Sequence, residues 1–230
     1  MIPFPFQAAG AGLIQPPASG GGGGATPTLL DRTATAFSSN TTSHAVSMPA
    51  TVAAGDLLVC LIGIGNNSAT ITTPSGWTAG ATEASDGSTK AFLFYKVAAG
   101  TEGGTTVDFV TSAGIRAAAH VFRFQTGTYS GTPEVAYSEN PAGTSNTNPD
   151  PPNLAPSWGS ANTYWLIFCT VNGAPTVSVY PGSSGTITTT STASIASCYD
   201  TTPGASLNPS SFTISTSLRW VAGVVGIRPI

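Results

Sequence analysis

The stretch AGDLLVCLIGIG, residues 54–65, decides the fold. From Leu57 to Ile64 it is apolar at both odd and even positions. A strand that hides both faces has to be central in a covered sheet. Working outward, TPSGW (73–77) is a Pro-Gly turn delivering a tryptophan. KAFLFYKV (90–97) is strand-like, with Phe92 and Phe94 on one face and Leu93 and Tyr95 on the other. TVDFVTS (106–112) alternates, and RAAAHVFRF (116–124) continues the pattern. From Thr33 onward the chain reads as many short strands punctuated by turns.

Composition narrows the class. Charged residues are 7% of the 230, where ordinary domains carry about 25%. Serine and threonine number 60, glycine 27 and proline 18. A 40% hydrophobic content argues against a disordered polyelectrolyte. Seven Lys+Arg and a net charge of −3 make nucleic acid a poor partner. No apolar run reaches the roughly 20 residues of a membrane span. Residues 1–30 are uncharged, so the cationic start of a secretory signal is missing, and the usual export route is not expected. Cys60, Cys169 and Cys198 suggest no disulfide framework and no metal site, only small core residues in a reducing cytoplasm.

The pattern then recurs. TYWLIFCTV (163–171) takes the place of DLLVCLIGI, and TVSVYPGSSG (176–185) that of TITTPSGWTAG (70–80). SFTISTSLRWVAGVVGI (211–227) follows TVDFVTSAGIRAAAHVFRF, with Phe109 opposite Ile214 and Arg116 opposite Arg219. Two such halves, about 33–138 and 160–230, predict one all-β, jelly-roll-like antiparallel β-sandwich over 33–230. Two separate domains would each leave an apolar sheet face uncovered. Residues 139–159 are too rich in Pro, Asn and Gly for strands and form the connector. Residues 1–32 read as an extended, apolar arm ending in a Gly-rich hinge.

Chemistry is hard to find. His120 shares strand parity with Phe122 and Phe124, which reads as a half-buried, hydrogen-bonded histidine. His44 sits near the expected start of the first strand with no acidic partner close in sequence. No G-x-S-x-G elbow occurs, and Gly182-Ser183-Ser184-Gly185 reads as a turn. Glu83 with Asp86, and Glu134 with Glu139, are the carboxylates to weigh as a glycosidase pair, and solvated loop acids are the better reading. A calcium site at Asp86 lacks the D-x-D-x-D spacing. No cofactor or catalytic residue is expected. The sequons at Asn40 and Asn66 should stay bare without export. Trp165 and Trp220 lie in apolar strands and belong to the core. Trp77 and Trp158 are expected to be partly exposed, packed over a sandwich edge or against a neighbouring subunit, with a sugar ring as the other candidate contact.

Several runs resemble a known module. NTTSHAVSMPATVAAGDLLVCLIGIG, TTPSGWT, KAFLFYKVAAG and RAAAHVFRF, with WLIFCTV and LRWVAGVVGIRP later, look like a β-sandwich module common in tailed-bacteriophage virion proteins. The resemblance covers about residues 33–230, and P-G-S-S-G departs from its P-x-G-W-T turn in the second half. It implies a non-enzymatic role on the particle, as a head decoration, head fibre or tail appendage, made in the host cytoplasm and assembled into the virion. It also implies a homotrimer, and as partners other virion proteins: the major capsid protein or a tail- or portal-associated one. A tail-borne adhesin recognising host surface glycans is the alternative. Ile2, Phe4, Phe6, Leu13 and Ile14 are large side chains on a proline-extended arm that cannot bury them within itself. Burying each on another surface is worth roughly 1.5 to 3 kcal/mol, which makes the arm the expected anchor.

Overall fold

The computed structural model describes residues 24–85, 88–141 and 143–230. The anchoring candidates Ile2, Phe4, Phe6, Leu13 and Ile14 lie outside the described residues. The first half forms β1 (Leu29–Ser47), β2 (Leu57–Ile64), β3 (Ile71–Thr72), β4 (Thr78–Ser85), β5 (Thr89–Val97) and β6 (Thr106–Phe124). These make an antiparallel sheet in the order β1-β6-β2-β5-β4, with β3 on β6. The second half forms β7 (Glu134–Glu139), β8 (Tyr164–Val171), β9 (Val177–Val179), β10 (Ser183–Thr189), β11 (Ser194–Asp200), β12 (Thr213–Ile214) and β13 (Trp220–Ile227), and so begins before the expected residue 160, because β7 pairs with β13 and not with the first sheet. Its sheet runs β7-β13-β8-β11-β10, element for element the order of the first, and β9 pairs with β12 as β3 pairs with β6. The aligned Phe109 and Ile214 are both buried, each in its own half's outer core. The halves combine by facing one whole sheet against the other.

Strand parity then builds three layers of core. Leu57, Val59, Leu61, Leu93, Phe122 and Phe124 point inward against Tyr164, Leu166, Phe168, Ile195, Val221 and Val225 of the second sheet. The opposite parity, Leu58, Cys60, Ile62, Phe92 and Phe94, fills an outer core. That outer core is closed by the β1/β6 ribbon, whose pairing shifts register between Phe37 and Ser43. Beyond the bend β1 doubles back, so the Thr33 hydroxyl donates to the Ser47 carbonyl (2.8 Å) and the Ser47 amide to the Thr35 hydroxyl (3.1 Å). On the second sheet the connector and the segment after β11 do the covering, through the Asn146–Leu218 and Leu154–Leu207 bridges and buried Phe212. Hence β2, β8 and β13 are buried along their whole length, which explains apolar residues at both parities.

Four local expectations are corrected. The first strand opens at Leu29, before Thr33, because Leu29 pairs with Phe124 and packs on the inter-sheet core. His44 therefore lies near the end of β1. Ser183–Gly185, directly after the bend at Gly182, is the bulged start of β10, with Ser184 at φ 52° and a register shift between Ser183 and Thr186. Trp77 is buried, 7% exposed. Its amide donates to the Pro74 carbonyl (3.1 Å) across a turn whose third residue, Gly76, has φ 76°, the position where a type II turn wants glycine. That turn drives the indole down onto Phe109, edge to face at 5.6 Å, so it offers no surface to a subunit or a sugar.

Candidate functional site

Residues of the AGDLLVCLIGIG and KAFLFYKV runs and of the turns beside them build one end of the sandwich. Asp56, at the start of β2, accepts from the Ala53 amide (2.9 Å), the Thr126 amide (3.0 Å) and Arg123 Nε (2.6 Å). Arg123 also donates to the Thr51 hydroxyl (2.8 Å). Burial would raise the Asp56 carboxyl, but these bonds outweigh it and hold the group below its ordinary range. Glu102 repeats the device: it accepts from the amides of Ala99, Gly100 and Thr101 and pairs with Lys96 at 2.8 Å. Burial opposes ionisation here too, yet Lys96 and the amides bring its carboxyl down to about 2. Both acids hold turns together and present no reacting group.

His120 is fully buried, not half-buried, and bridges the two sheets. Nδ1 lies 2.8 Å from the Ser197 hydroxyl on β11, and Nε2 lies 2.9 Å from the Thr188 hydroxyl on β10. A serine on an imidazole is the geometry of an activated nucleophile. Burial, and then the charge of Arg32, push this ring down to about 3, so it is neutral. Ser197 is also fully buried, and neither ring nitrogen contacts a carboxylate. The trio is a polar pin between sheets. His44 ties the ribbon bend instead, bridging the carbonyls of Phe109 (3.2 Å) and Ile115 (3.1 Å).

The remaining candidates are scattered. Glu134 accepts from the Ser157 amide (2.9 Å) and hydroxyl, tying β7 to the connector. Glu139 stands five residues further along the same strand, about 17 Å away at strand rise, well beyond the separation of a glycosidase pair. Glu83, near the phenol of Tyr137, lies on β4; Asp86 is outside the described residues. Trp158 is half-buried, its indole N–H donating to Thr163 (2.9 Å) while its ring packs beside Gly226. With Arg228 and Ile230 it lines a small hollow of about 100 Å³. Burial raises all three thiols, Cys198 to about 12. Among the described residues no three His, Cys, Asp or Glu cluster as metal ligands.

A larger cleft opens at the seam where the edge of the first sheet meets β10 and β11. It holds about 370 Å³ and is lined by Leu29, Leu30, Asp31, Arg32, Ser184 and Tyr199. Arg32 Nη1 donates to the Ser184 carbonyl (3.1 Å), and the Arg32 amide to Asp31 Oδ1 (2.7 Å). The Tyr199 ring lies tilted on Tyr164, centroids 5.1 Å apart. The sequence reading missed this place. Its one signal was that Asp31 and Arg32 are the first charges after thirty uncharged residues.

No family model, curated protein or solved structure matches this chain. The class it belongs to is therefore the one its fold defines, an antiparallel β-sandwich of two like halves.

Proposed function

We propose that this chain is a non-enzymatic structural protein of a tailed-bacteriophage virion, a capsid-surface decoration or head-fibre module anchored by its N-terminal arm. The observation that carries the reading is where the arm leaves the domain. Gly24 packs against the Ile230 carbonyl so closely that a Cβ would overlap it, and Asn162 Nδ2 donates to the Gly24 carbonyl (2.8 Å). The same end holds the start of β8, the end of β13 and the Asp56 clamp. Residues 1–23 thus join at one end of the sandwich, and the strand ends at Ile64 and Val171 face the other way. One end for attachment and one for projection suits a particle appendage. The sequence resemblance supports the same reading. The partner is another virion protein, the major capsid protein or a tail- or portal-associated one, and the assembly is a homotrimer.

Deleting residues 2–18 should leave a folded domain, with unchanged circular dichroism and melting, that no longer joins particles in an infected culture. Truncated protein at wild-type occupancy on purified particles refutes the anchor.

A further inference from the structure

We propose that the seam cleft between β1 and β10–β11 binds an acidic saccharide unit, a hydroxylated ring carrying a carboxylate, with Arg32 as the carboxylate's partner. The inference goes beyond the structural role above. It does not depend on where a particle carries the chain, and its failure leaves that role standing.

Arg32 is the first reason. A guanidinium keeps its charge in any protein setting and presents a planar fork of donors matched to a carboxylate. Here one donor reaches the Ser184 carbonyl. No carboxylate lies within ion-pair distance of the guanidinium among the described residues, and its other donors meet no acceptor there. The half-buried cation faces a cleft, and its field reaches inward, lowering His120 and offsetting the burial of Tyr164.

The walls supply what a sugar ring needs. The Tyr199 hydroxyl makes no hydrogen bond among the described residues, and the ring behind it is steadied by Tyr164. An aromatic face beside Leu29 and Leu30, the latter 43% exposed, accepts the C–H face of a pyranose. Ser184 holds a left-handed φ of 52°, unusual for a side-chain-bearing residue, and this turns its carbonyl onto Arg32. Asp31 Oδ1 is committed to the Arg32 amide, leaving Oδ2 to accept from ring hydroxyls. The Asp31 carboxylate, on the cleft wall but beyond ion-pair distance of the guanidinium, also disfavours doubly charged phosphate and favours a single carboxylate among hydroxyls. The volume, about 370 Å³, is in the lower range of small-molecule sites.

The test is an amide-resolved NMR titration of the full chain with glucuronate and, separately, N-acetylneuraminate. Glucose and inorganic phosphate are the controls. Saturable shifts are expected at residues 29–32, 184 and 199, with Kd on the order of 1 mM for one of the two acids. Glucose and phosphate should bind at least about tenfold more weakly. Arg32→Met should weaken the acid about tenfold or more, the loss of a charged hydrogen-bonded pair. If Arg32→Met does not fold, Arg32→Lys keeps the charge, loses the fork and should still bind several-fold more weakly. The inference is overturned if neither acid shifts the cleft at about twenty times that Kd. Equal binding of glucose or phosphate, or an Arg32 variant of unchanged affinity, overturns it as well.

Discussion

Replacing His120 by glutamine should remove most of the acid sensitivity of this fold between about pH 6.5 and 4.5. In the unfolded chain the imidazole titrates at its ordinary 6.5; in the folded one burial and the nearby Arg32 hold it at about 3. Between those values the unfolded chain binds a proton that the folded chain refuses. The stability tied to this ring is complete above pH 6.5 and is lost as the pH falls toward 3. The slope is about 1.4 kcal/mol per pH unit. Two units of acid therefore cost about 2.7 kcal/mol, a large part of the roughly 5 to 15 kcal/mol that holds a domain together. Asp56 and Glu102, both held below the ordinary carboxylate range, add their own losses only below about pH 4.5, as their unfolded forms begin to protonate. Glutamine offers a donor and an acceptor to the Ser197 and Thr188 hydroxyls but does not titrate. Its cost at neutral pH should be about 1 to 3 kcal/mol. Urea melts followed by tryptophan fluorescence at several pH values read both slopes. If His120→Gln loses stability with acid as steeply as the wild type, the buried neutral imidazole is not the source.

Asp56→Asn should destabilise the domain by about 3 kcal/mol, because the amide turns an NH₂ toward at least one of three donors and leaves Arg123 without its counter-charge. A change below about 1 kcal/mol in chemical denaturation would mean the clamp is dispensable. Gly63→Ala places a methyl on the Thr170 hydroxyl of the facing sheet and should cost about 1 to 3 kcal/mol. Thr170→Ala in the same chain should recover about half of that or more, and a double-mutant cycle with no coupling would show that the sheets do not meet there.

Much of the fold was legible because strand burial is written with a period of two and can be read locally. Residues 57–64 and 164–171, apolar at both parities, could only be central strands, and Phe92 and Phe94 separate from Leu93 and Tyr95 as alternation requires. The repeat in pattern was enough to pair β2 with β8 and β6 with β12–β13. Turn chemistry at Pro74–Trp77 was also readable, but where the indole goes was not. That depends on the β1/β6 ribbon doubling back, a bend that hydroxyl-rich residues 38–43 do not announce. The partners of the polar pin and the walls of the cleft lay outside sequence reach. His120 meets partners 77 and 68 residues away, and Arg32 meets Ser184 across 152 residues. The sequence by itself determined which segments are strands and which faces they hide, since those depend on neighbours two residues apart. Only the tertiary structure decided which polar side chains meet across the sheets and which charge was left facing a cleft. Both follow from how one sheet is laid on the other.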